Sequence, residues 1–155
     1  MKLRIVALGH RMPAWVAAGF AEYAKRLPRE YETELVELKP ASRDSGRTSA
    51  QLLAAEALRI RAACGSCTVV ALDERGSAWT TRQLAQRLQG WRDSGQDVAF
   101  VIGSADGLDD AVKRDATVVL ALSALTLPHG LARVILIEQL YRAASVLSGH
   151  PYHRD

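Results

Sequence analysis

Cysteine is scarce in this 155-residue chain: Cys64 and Cys67 stand in a single "CGSC". One pair cannot complete a four-cysteine zinc site, which leaves a thiol redox pair or two small buried residues at a turn. The apolar pattern places Cys64 at the end of a helix and Cys67 at the start of a strand. The negative end of a helix disfavours a thiolate, and this favours the turn. Long apolar runs are also absent. None reaches the roughly 18–20 residues that span a bilayer, and the apolar part of "MKLRIVALGH" stops too soon for a secretory signal. The expectation is a cytoplasmic protein with no membrane partner. The dinucleotide fingerprint G-x-G-x-x-G and the P-loop are both missing, which argues against a nucleotide-binding oxidoreductase. Lysine is rare: sixteen of the twenty basic residues are arginine, and the net charge is +3. Arginine is the better fork for phosphate, but a GC-rich genome gives the same bias, so an anionic partner is permitted and not shown.

What is present is regular. "LRIVAL" (3–8), "ELVEL" (34–38), "TVVAL" (68–72), "VAFVI" (98–102) and "TVVLAL" (117–122) read as strands. Four are apolar nearly throughout, as parallel strands covered on both faces are. "ELVEL" is more polar and suits an edge. Apolar residues at helical spacing fill the intervals 13–27, 49–64, 81–91, 108–114 and 131–147. Thr80 with Gln83 reads as a capping box. The alternation predicts one α/β domain over residues 1–155, a mostly parallel sheet flanked by helices.

Ligands of such sheets bind beyond the C-terminal strand ends. "LDERG" follows the third strand, "IGSADGL" the fourth and "LSALTLPHG" the fifth. Gly103 and Gly107 form either a plain tight turn or a close backbone approach to a ligand. The segment 122–130 is too apolar for an open loop. It is either packed by protein or wraps a flat heterocycle, with Leu122, Leu125 and Leu127 as walls. Pro128 and Gly130, on either side of His129, are expected to stop regular structure there. The loop 39–49, with Arg43 and Arg47, reads as a solvated connector. The last residues, "HPYHRD", carry two imidazoles, a phenol and a guanidinium directly after an apolar helix.

The stretch "ALSALTLPHGLARVILIEQLYRAASVLSGHPYHRD" (121–155) strongly resembles the C-terminal part of the ribosomal RNA large-subunit methyltransferase H family, and the likeness runs over the whole length of the chain, down to "MKL" and "MPAW" at the start. That family lies in the SPOUT, or trefoil-knot, superfamily. The resemblance implies a deep trefoil knot over about 98–150 and a homodimer. It implies an S-adenosylmethionine-dependent enzyme, without metal, that methylates N3 of a pseudouridine in helix 69 of 23S rRNA on the assembled 70S ribosome. Carried over, Leu72, Gly103, Leu122, Ser123, Ala124, Leu125, Thr126 and Leu127 match the cofactor pocket, and Tyr152, His153 and Arg154 match a substrate-reaching tail. The family commonly reads "GGPEG" where this chain has Gly103-Ser104-Ala105-Asp106-Gly107, which places the shape of that loop in question.

The N3 imide is largely protonated at neutral pH, so attack on a methyl group requires that proton to be removed. His153 is the first candidate and His129 the second. Arg11, Arg133, Arg142, Arg43 and Arg47 are candidate contacts to rRNA phosphates; Arg142 has an equal reading as an interfacial or capping residue. The rival class is a non-catalytic ribosome- or RNA-binding protein, which predicts no affinity for S-adenosylmethionine.

Overall fold

Alternation of side chains along each strand feeds two cores, one on each face of the sheet. Leu3, Ile5, Ala7, Val70, Val98, Phe100 and Ile102 are buried on one face. Val6, Leu8, Ala71, Ala99 and Val101 are buried on the other. The strands are β1 (Lys2–Leu8), β2 (Glu32–Leu38), β3 (Thr68–Ala78), β4 (Val98–Ile102) and β5 (Val118–Ala121). They form one parallel sheet in the order β2-β1-β4-β3-β5. The polar "ELVEL" strand, β2, does lie at an edge. The computed structural model describes residues 1–154; Asp155, the last residue of the expected domain, lies outside the described residues.

The helices are α1 (Ala14–Ala24), α2 (Ser49–Cys64), α3 (Thr81–Asp93), α4 (Asp110–Asp115) and α5 (His129–Ser148). Helices α1, α3 and α5 cover the first face through Phe20, Leu84, Leu88, Trp91 and Leu136. Helices α2 and α4 cover the second through Ala57, Ile60 and Val112. The capping box at Thr80 and Gln83 is formed, and a second, at Thr48 and Gln51, opens α2. Asp109 caps α4 through the Ala111 amide.

Two expectations change. The third strand runs on past Leu72 to Ala78, because Leu72 and Ser77 both oppose Leu120 and residues 73–76 loop out between them. Pro128 and Gly130 do not end regular structure. Pro128 is the N-cap of α5, where its missing N–H costs nothing, and Gly130 lies inside the first turn. A Cβ at Gly130 would sit 3.2 Å from Val16 Cγ2, so glycine lets α5 start close against α1. Among the described residues, no helix is long and apolar enough to cross a membrane.

Candidate functional site

The C-terminal ends of β3, β4 and β5 surround a cleft of about 850 Å3. Three backbone segments make it. The first is the loop 73–76 thrown out of β3. Gly76 is what allows it to return, since a Cβ there would lie 2.7 Å from the carbonyl carbons of Val119 and Leu120. The second is the 103–107 turn, closed by the Gly107 N–H donating to the Ser104 carbonyl at 2.9 Å, with Gly107 at φ +83°. A Cβ at Gly103 would meet the Gly107 carbonyl at 2.6 Å. This segment is therefore the tight turn that the sequence offered as one alternative, and it also forms a wall of the cleft. The third is the 122–128 loop, which leads into α5.

Of the residues carried over for a cofactor, Leu72, Gly103, Leu122, Ser123, Leu125, Thr126 and Leu127 line the cleft. Ala124 belongs to the same loop but is exposed and outside the lining. Leu72 contributes from within β3 rather than from beyond its end. His129 also lines the cleft, from the first turn of α5. The first and third loops are tied together by the Thr126 hydroxyl, which donates to Glu74 Oε2 at 2.7 Å, and within the third the Ser123 hydroxyl accepts from the Leu125 amide at 2.9 Å. Asp73 and Lys113 face each other at 3.5 Å, and the Asp110 carboxylate, 3.0 Å from Lys113, raises the ammonium pKa. Asp73, Glu74, Arg75, Ser104 and Lys113 are lining residues that the sequence reading passed over. The signal available was the "LDERG" strand end, whose polar residues a bulge turns inward.

Tyr152, His153 and Arg154 line no part of this cleft in their own chain. Gly149, left-handed at φ +68°, ends α5, and the His150 amide donates back to the Ser145 carbonyl at 2.9 Å. That cap folds the tail along the helix. The Tyr152 hydroxyl donates to Glu138 Oε1 at 3.0 Å. Its ring centroid lies 4.6 Å from that of Tyr141, and the Arg142 guanidinium stands 4.7 Å over it. Burial, then the Glu138 carboxylate, raises the Tyr152 phenol above its ordinary pKa, so it is a donor at neutral pH. Glu138 lies nine residues along α5 from His129, about 14 Å along the helix axis. The tail is anchored, but at a distance from its own cleft.

The basic residues divide. Arg133 is 1% exposed, its guanidinium 2.7 Å from Glu37 and 2.8 Å from the Gly9 carbonyl, so it staples α5 to the ends of β1 and β2 and does not face solvent. The expectation that it contacts phosphate is corrected. Arg142 pairs with Glu138 at 2.6 Å and holds the tail. Arg11, at φ +56°, and Arg47 are exposed, and Arg43 pairs with Asp106 at 2.8 Å. Cys64 is buried at the end of α2, and burial pushes its thiol up to about 11, which favours the structural reading of "CGSC". Among the described residues no group of three or more His, Cys, Asp or Glu side chains could hold a metal ion.

Comparison with known proteins agrees with this geometry. The family described as "Predicted SPOUT methyltransferase" matches residues 1–153. The "Ribosomal RNA large subunit methyltransferase H" of Nitrosospira multiformis is 61% identical over 155 residues, covering 99% of both chains. The protein of the same name from Cupriavidus metallidurans is 57% identical, again over 99% of each chain. Among solved structures, a probable methylase family protein from Haemophilus influenzae superposes with a TM-score of 0.58 at 16% identity, covering 99% of this chain and 70% of that one. A probable methyltransferase from Bordetella pertussis gives 0.56 at 19% identity, covering 92% of this chain and 95% of the other. At such identities these structures speak for the fold.

Proposed function

The chain belongs to the SPOUT methyltransferase family, and from that premise we propose that it is a cytoplasmic, S-adenosylmethionine-dependent enzyme that methylates N3 of a pseudouridine in helix 69 of 23S rRNA on the assembled ribosome. The observation that carries the reading is the cleft of about 850 Å3, built from the loops at the ends of three adjacent parallel strands. Its size is that of a small-molecule cofactor site. Its chemistry fits as well: leucines 72, 122, 125 and 127 offer apolar walls to an adenine ring, and Gly103 offers bare backbone where a side chain would collide. Leu72, Gly103, Leu122, Ser123, Leu125, Thr126 and Leu127 would hold the cofactor, with Ala124 a part of the same loop outside the lining. When bound, that group supplies a methyl on a positively charged sulfur, ready for transfer to nitrogen.

The chain's own part is to orient the acceptor, exclude water and take the N3 proton. His129, already at the cleft, and His153, in the tail, are the groups suited to that proton. Because the tail is anchored on α5 away from its own cleft, it serves the cleft of a second protomer in a homodimer, with Tyr152 and Arg154 positioning RNA. We take the segment 98–150 as the trefoil knot of the superfamily.

The test is transfer of labelled methyl from S-adenosylmethionine to ribosomes lacking this modification, with the full chain beside a chain truncated after Gly149. Label in 23S rRNA from the full chain, reduced at least ~100-fold by truncation, is the expected result. Equal label from both would remove the tail from the substrate step. No label from either, with ribosome binding intact, would favour a non-catalytic RNA-binding protein.

A further inference from the structure

A second, smaller cavity of about 260 Å3 adjoins the cofactor cleft; Ser104, Ala105, Asp106 and His129 line both. Leu8, Pro40, Leu52 and Leu53 give it apolar walls. Among these walls stands Glu56, on the buried side of α2 and 4% exposed. A carboxylate so placed is costly unless it is well supplied with donors. Glu56 Oε1 accepts from the Ala41 amide at 3.0 Å and Oε2 from the Ser104 hydroxyl at 3.2 Å. A carboxylate has about four acceptor positions, so about two are left. At the rim stands the Arg43 guanidinium, 63% exposed and paired with the Asp106 carboxylate at 2.8 Å.

Apolar walls with an acceptor among them suit a nucleobase, and the guanidinium N–H groups that Arg43 does not give to Asp106 suit its phosphate. We propose that this cavity receives the acceptor base and that Glu56 selects pseudouridine over uridine. The inference rests on the pseudouridine reading above and adds the residue that recognises it. Pseudouridine is joined to ribose through carbon, so N1 keeps a hydrogen. Uridine presents a C–H at the corresponding edge. With N3 turned toward the cofactor cleft and His129, the N1–H is the remaining ring donor, and the Glu56 carboxylate is its acceptor. Uridine in the same place would leave that buried acceptor unmatched, which is a strong ground for rejection.

The experiment compares kcat/KM for methyl transfer to ribosomes carrying pseudouridine or uridine at the target, with S-adenosylmethionine affinity measured by calorimetry on each protein. In Glu56→Gln the amide can keep both present bonds, its oxygen accepting from Ala41 and its nitrogen donating to Ser104, so the fold is preserved. The wild type should prefer pseudouridine by on the order of 100-fold or more. Glu56→Gln should shrink the preference at least tenfold through KM, with cofactor affinity unchanged. Leu53→Trp, which fills the cavity, should raise KM for both ribosomes. An undiminished preference in Glu56→Gln, or a wild-type KM in Leu53→Trp, overturns the inference while leaving the methyltransferase intact. Loss of cofactor affinity in Glu56→Gln would assign Glu56 a structural role and overturn it too. A wild type that methylates neither ribosome overturns both readings together.

Discussion

Gly76 shows how one residue governs the site. Its backbone passes so close to β5 that any Cβ would fall 2.7 Å from main-chain atoms. Backbone cannot move aside as a side-chain tip can. Gly76→Ala should therefore cost about 1–3 kcal/mol of stability, read from the shift in urea midpoint at constant slope, and should loosen the 73–76 wall of the cleft. From the sequence, Gly76 is one glycine among eleven, because the need for glycine arises from a strand 44 residues further along the chain. Arg133 teaches the same lesson from the other side. As a letter it is one more candidate for phosphate, and only burial against Glu37 and Gly9 shows that it is structural. Glu56 did carry a local signal, an acidic residue beside Ala57 and Ile60 on the apolar side of α2, but its purpose depends on the loop 39–49 and the 103–107 turn meeting over it.

Among elements, α5 carries the most. Its first turn brings His129 to the cleft, its middle supplies Glu138 and Arg142, and its C-cap returns the tail along its surface. Glu138 accepts from the Arg142 guanidinium and the Tyr152 hydroxyl through the same oxygen. Glu138→Gln removes the charge that makes these bonds strong and should weaken tail docking by about 1 kcal/mol. Amide exchange at 150–154 should quicken severalfold while α5 itself stays protected; unchanged exchange would mean that ring packing against Tyr141 suffices. The body of α5, like α2, α3 and β4, was legible from apolar residues and their spacing, and the cap of α3 was legible as well. Its start was not, because proline and glycine act as breakers in isolation, yet both suit a first turn packed against α1.

At the scale of the whole molecule, the exposed Arg11, Arg43 and Arg47 gather at loops beyond β1 and β2, Arg43 in a surface pair with Asp106, while Arg133 and Arg142 are held in more buried pairs. If the three exposed arginines meet rRNA phosphates, affinity for ribosomes should fall on the order of tenfold to a hundredfold between about 50 and 200 mM salt. Replacing all three with glutamine should flatten that slope, whereas Arg133→Met should change stability and leave the slope alone. The sequence by itself determined the strand and helix pattern, the buried parallel character of four strands, the polar edge strand and the family likeness, most specific in residues 121–155. Each of these is written in neighbouring residues, where periodicity, caps and motif spacing act. Only the tertiary structure decided that residues 73–76 bulge into the cleft, that the Gly103 turn forms one of its walls, that the smaller cavity closes over Glu56, and that the tail rests on α5 rather than in its own cleft. Those outcomes depend on contacts between segments far apart in the chain, and no local pattern encodes which distant backbone will come within 3 Å.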